Sequence, residues 1–163
     1  MAFTNLALIL ERGRVAAKRV LVGSDRLSLV DDAELLGYET NILERVQIKP
    51  TSRRYKSCES RRSRPRMVEQ AVDEILHLKI LESLVDTAQP ATIVLATGDG
   101  AKAEYSGGFM RQVERALRVG WSVEVVSFKK ATSKVYRQED FQKKWGQQFR
   151  LIELDGYVEE LFE

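Results

Sequence analysis

Two aspartates, Asp73 and Asp99, have the type and context that chemistry would need. Asp99 sits directly after the wholly apolar run Ala91–Thr97, inside Gly98-Asp99-Gly100. A carboxylate at the end of a buried strand is costly unless it is paired or holds a cation. Glu104 follows five residues later in the same glycine-rich stretch. Asp73 lies between Val72 and Ile75, beside the apolar stripe of the segment 67–85. Taken alone, Asp99 could cap a helix or brace a turn, and Asp73 and Glu104 could be solvated. Taken together they suit a hard divalent cation, which is usually held by a few carboxylates, water and substrate phosphate. Such a cluster can activate water and stabilise a leaving oxygen in phosphodiester hydrolysis. The rest of the composition leaves few other routes to metal chemistry. One histidine, His77, excludes a His-rich site, and one cysteine, Cys58, excludes a cysteine-rich zinc site or an internal disulfide. His77, four residues after Asp73, reads as a packing or surface residue, and Cys58 as an incidental thiol.

A second feature is hidden by the totals. Lys and Arg number 26 against 24 Asp and Glu, a net charge of +2 over 163 residues. Between Lys49 and Arg66, however, eight basic residues stand against Glu59 alone, a local charge of +7 that leaves −5 for the remainder. The segment holds Pro50 and Pro65, several serines and almost no apolar residues, so a mobile loop over 47–66 is expected. A like-charge run is often only a solvated linker. Six of its basic residues are arginines (Arg53, Arg54, Arg61, Arg62, Arg64 and Arg66), and guanidinium groups suit phosphates and stacking on bases. Tyr55 is the one aromatic in the run.

The elements that would carry these residues follow from hydrophobic pattern. Residues 5–12 fit a short amphipathic helix. Lys18–Ser24 is a buried-strand run, 27–36 a helix stopped by Gly37, and 38–46 an alternating strand. Residues 67–85 form the strongest helix, with one broad apolar face. Ala91–Thr97 reads as the central strand, 109–119 as an amphipathic helix ended by Gly120, and 121–128 as a third parallel strand. A helix over 139–148, a strand over 149–154 and a helical turn over 157–162 complete the chain. Trp121 and Trp145 are expected to be packing residues. Strands alternating with helices argue for an α/β fold with a parallel sheet covered on both faces. There is no internal repeat, and 1–163 reads as a single domain.

In open parallel sheets, ligands bind beyond the carboxyl ends of the strands. The four glycines Gly98, Gly100, Gly107 and Gly108 lie at such an end and would permit close approach of a ligand. Three familiar phosphate motifs fail. A GxGxxG fingerprint breaks at Ala103, the Walker A pattern is absent, and the DxDx[TV] motif that accompanies a phosphatase Gly-Asp-Gly loop does not occur.

The stretch TIVLATGDGAKAEYSGGFMRQVERALRVGWSVEVVSF resembles the second half of a NYN domain, a branch of the PIN-like metal-dependent ribonucleases. The likeness lies in a hydrophobic strand ending in Thr-Gly-Asp, a glycine-rich turn, a helix, and Gly-x-x-Val on the next strand. KRVLVGS resembles the family's second strand, and Val72-Asp73 the Val-Asp that opens its long helix. The similarity spans roughly residues 5–160 and is closest to fungal NYN proteins. It implies a Rossmann-like three-layer α/β/α sandwich with a mainly parallel sheet and an acidic cluster binding Mg²⁺ or Mn²⁺. Asp73 and Asp99 carry over as catalytic metal ligands. Ala101 stands where the family has a further Asp, and Glu104 is the substitute ligand. The family's first strand, with its Asp, has no counterpart before Asn5. That departure implies an N-terminally truncated domain whose sheet is open at its centre, to be closed by its own flanking strands or by pairing with a second copy.

Two functions are therefore expected to compete. One is a metal-dependent endoribonuclease in which Thr97, Gly98 and Ser106 shape a phosphate site and the arginine loop tracks single-stranded RNA. The other is a catalytically impaired RNA-binding or oligomerisation module of the same fold. No run of about 18 apolar residues occurs, so no membrane span is expected. The start of the chain lacks the features of a secretory leader, which predicts an intracellular protein, cytoplasmic or nuclear.

Overall fold

The computed structural model describes residues 2–24, 28–48, 66–69, 71–100 and 107–162. Helix α1 (Phe3–Glu11) leads to strand β1 (Val20–Gly23), helix α2 (Ser28–Leu35) and strand β2 (Glu39–Ile42). Strands β3 (Val46–Ile48) and β4 (Arg66–Val68) precede the long helix α3 (Val72–Asp86). Strand β5 (Thr92–Leu95), helix α4 (Gly108–Arg118), strand β6 (Ser122–Ser127), helix α5 (Glu139–Trp145), strand β7 (Phe149–Glu153) and helix α6 (Val158–Phe162) follow. The chain is thus a mixed α/β protein.

The strands fall into three sets. β5, β6 and β7 form a parallel sheet in that order, β1 and β2 pair in parallel, and β3 and β4 pair antiparallel. Among the described residues, the run expected to be the central strand, β5, lies at an edge of its sheet, and β6 takes the middle. The physical reason is burial. Five of the six β6 residues are buried, whereas Thr92 at the start of β5 is exposed.

Alternation along β6 divides the core. Val123 and Val125 face a cluster with Phe109, Val113, Ala116 and Leu117 of α4, Ile80 of α3, and the rings of Tyr136, Phe141 and Phe149. Val126 faces the opposite way, against Leu154 and Leu161, with Leu6, Ile9 and Leu10 of α1 packed around them. Each fully buried side chain of this size contributes about 1.5–3 kcal/mol. Glu124 shares the second face. It is buried and is met by the guanidinium groups of Arg12 and Arg14.

Several boundaries differ from the pattern reading. The long helix begins at Val72, because Arg66–Val68 forms a ladder with β3 instead. The expected strand 38–46 stops at Ile42. The expected loop 47–66 gives up both ends to that ladder, where Gln47 pairs with Met67 and Ile48 with Arg66. Glycine does act where helices end: Gly37 and Gly120 have φ of +79° and +89°.

A candidate acidic site at the strand ends

The site is built by α3 and by the turn after β5. Ala71 takes φ +64°, a left-handed conformation that few residues other than glycine adopt, and swings the chain from Glu69 into α3. Asp73 and Glu74 then occupy the first helical turn, where the helix dipole favours acids. His77 follows one turn later, buried, with its ring edge-on to Phe109 at a centroid distance of 4.4 Å.

Asp99 is exposed, so it is not the buried end-of-strand carboxylate that the sequence suggests. It still reaches Asp73 electrostatically. Burial first, and then the charge of Asp99, push the half-buried Asp73 carboxyl above its ordinary range, while His77 pulls the other way. Burial also holds the His77 imidazole below its usual value, against the charges of Asp73, Glu74 and Asp99. The two aspartates singled out from sequence therefore feel one another's field at Asp73, and His77 feels the charge of both. Hard oxygen donors in such a pair fit Mg²⁺ or Mn²⁺, with water and phosphate oxygens completing the shell. Among the described residues, no three His, Cys, Asp or Glu side chains form a group that could hold an ion.

Gly98 and Gly100 serve the tight turn, where the chain packs closely on itself. A Cβ at Gly98 would lie 2.6 Å from the Ala131 carbonyl oxygen and 2.8 Å from Thr132 Cα. One at Gly100 would lie 2.7 Å from Ser133 Oγ. The chain's own segment after β6 occupies that space. It is fastened there by Ser133 N–H donating to the Gly98 carbonyl at 2.7 Å and by Tyr136 Oη donating to the Asp99 carbonyl at 3.1 Å. Ser127 and Thr132 share a hydrogen bond of 2.7 Å beneath it. Thr97 also serves the turn, since its Oγ1 accepts the Asp99 N–H at 3.2 Å.

Pattern reading missed this support, and its signal was the run of hydroxyl residues at 127–136 following a buried strand. It also missed Glu69, whose Oε1 accepts from Ser24 at the end of β1 and from Arg45 at 3.2 Å. The Ser24 bond holds the Glu69 carboxyl below its ordinary range, and Glu69 in turn raises that of Asp73. Glu104 and Ser106 lie outside the described residues, as do Arg53, Arg54, Arg61, Arg62 and Arg64. Arg66 is placed through its backbone, in β4, opposite Ile48.

Fold and site together define a mixed α/β protein with a three-stranded parallel sheet and an aspartate, Asp73, that feels the charge of Asp99. No family model, curated protein or solved structure matches the chain. No helix among the described residues is long and apolar enough to cross a membrane.

Proposed function

We propose that this chain is a NYN-type, PIN-like domain of three α/β/α layers that hydrolyses RNA phosphodiesters with a divalent cation at Asp73 and Asp99. One observation carries this reading. Asp99 is the strongest charged influence on Asp73, and a bound cation would relieve the cost of ionising Asp73 near that charge. When bound, Mg²⁺ or Mn²⁺ would supply an activated water and charge neutralisation at the phosphate. The chain's own part is to orient: the Tyr136 and Ser133 bonds fix the backbone on which Asp99 stands. The layers are supported by the two clusters on opposite faces of β6. The arginine-rich segment fits an RNA substrate, since it leaves β3 and returns through β4, whose last residue is four positions before Val72.

Incubation of single-stranded RNA with Mn²⁺ or Mg²⁺ tests the proposal. Cleavage by wild type should fall by about 100-fold or more in Asp99→Asn and in Asp73→Asn, as when a group that stabilises transition-state charge is removed. Equal cleavage by wild type and Asp99→Asn sinks it.

The second reading, an RNA-binding or oligomerisation module, is favoured by strand order. β1 pairs only with β2, and β5 only with β6, among the described residues. A free strand edge is a template for a second copy. RNA binding and self-association that are unchanged in Asp99→Asn, with no cleavage by either protein, would select it.

A further inference from the structure

A groove of about 400 Å³ runs between α3 and α4, with His77 in its lining. Glu74, His77, Leu78 and Leu81 line it from α3, and Gly107, Arg111, Gln112 and Arg115 from the start and first turns of α4. Its volume lies within the range of about 300–1,000 Å³ typical of small-ligand clefts.

Its polar lining is unusual for a gap between helices. Arg111 and Arg115 stand one turn apart on the same helix face. Neither forms an ion pair within the described residues, although Arg118 of the same helix pairs with Glu114 and Lys143 with Glu139. Gln112 is only 3% exposed, and its Oε1 accepts from Arg115 at 2.9 Å. That bond turns the amide so that its two N–H donors remain, and Nε2 donates to none of the described residues. Gly107 leaves room for Arg111, whose Cδ would lie 2.4 Å from a Cβ placed there. The floor is apolar, with Leu78 49% exposed.

We propose that this groove is a nucleotide subsite, in which Arg111 and Arg115 hold a phosphate of the RNA strand, Leu78 and Leu81 carry the attached base, and the Gln112 amide donates to the base edge. The inference rests on the nuclease reading for its substrate class. Two guanidinium groups without carboxylate partners suit a phosphate. Apolar side chains such as Leu78 and Leu81 can cover the face of a base. With its Oε1 held by Arg115, the Gln112 amide has N–H donors to offer to a base edge. His77 lines the groove and lies one helical turn after Asp73 on α3, so the bound nucleotide would lie on the same helix as the proposed metal ligand.

The test is calorimetric titration of the full chain with each 5′-mononucleotide and with inorganic phosphate, in EDTA. At least one mononucleotide should bind more tightly than phosphate. The double variant Arg111→Gln/Arg115→Gln should weaken that binding by about tenfold or more, the scale of losing charge-assisted bonds to phosphate. Arg118→Gln, outside the groove, should leave it unchanged, and Gln112→Leu should level the preference among bases. Thermal melts confirm that the variants fold. Absence of nucleotide binding by wild type, phosphate binding as tight as any nucleotide, or binding indifferent to the double variant overturns the proposal. Asp99→Asn separates the two readings. Nucleotide binding that survives Asp99→Asn but not the arginine changes supports the subsite even if no RNA is cleaved. Cleavage lost in Asp99→Asn, with binding indifferent to the arginines, leaves the nuclease standing and removes the subsite.

Discussion

The hydroxyl of Tyr136 donates a hydrogen bond to the backbone carbonyl of Asp99 at 3.1 Å. Tyr136 is fully buried, stacked near Phe149 and edge-on to Phe141. Burial holds its phenol far above the ordinary range, so it stays a donor at any working pH. The exposed residue Asp99 is thereby tied, through its own backbone, to a fully buried ring of the core. Tyr136→Phe should lower stability by about 0.5–1.5 kcal/mol, the net worth of one hydrogen bond. Urea denaturation reads the loss. If the nuclease reading holds, cleavage should fall further than stability does, because the carboxylate loses its anchor.

Gly98 makes the same turn possible by lacking a side chain. Gly98→Ala would drive a methyl group into backbone atoms of Ala131 and Thr132 at 2.6 and 2.8 Å. Overpacking against backbone costs about 1–3 kcal/mol. Gly156→Ala is the control, because nothing lies within 4 Å of its added carbon. A thermal melt should show a clear drop for the first and little change for the second.

The two titrating groups of the site act on stability in opposite senses. Asp73 has a folded pKa above its ordinary 3.8, so its contribution is fully present at pH values below that figure. It is lost as pH rises through the raised folded value. His77 has a folded pKa below its ordinary 6.5, so its contribution is present above that figure and lost as pH falls through the depressed value. In EDTA, Asp73→Asn should therefore be more stable than wild type near neutrality, with the gap closing as acid protonates the wild-type carboxyl. Denaturation midpoints across the pH range check this. A variant less stable than wild type at neutral pH would argue that Asp73 has a partner that stabilises its charge.

The buried Glu124 links α1 to the middle strand. Its side chain is 7% exposed, against 33% and 42% for Arg12 and Arg14. Removal of both arginines leaves a buried carboxylate without its partners, a loss of about 3–5 kcal/mol for such pairs. Glu124→Gln leaves two guanidinium groups that water can still reach, and should cost less. Chemical denaturation of Arg12→Ala/Arg14→Ala beside Glu124→Gln measures the asymmetry. Equal losses would mean that the carboxylate is hydrated in solution.

Much of this was written into the local sequence. The β-branched, largely apolar runs within 18–24, 91–97 and 121–128 became β1, β5 and β6, because such side chains fit a pleated surface that is at least half covered. Gly37 and Gly120 marked helix ends because a left-handed residue closes the last turn with least strain. Asp73 and Asp99 could be nominated by their type and by the elements that carry them. Tertiary structure decided the rest. Whether the carboxylates meet depends on how α3 lies against the turn after β5, and no spacing along the chain encodes that approach. The glycines at 98 and 100 admit residues 131–133, a contact between segments more than thirty positions apart. Met67 could extend a helix on local pattern, yet it joins Gln47 in a ladder, because backbone pairing with a distant strand outweighs a weak helical preference. Sequence thus named the acids and the strands. Only packing set which groups hold Asp99 in place and which guanidinium groups were left facing an open groove.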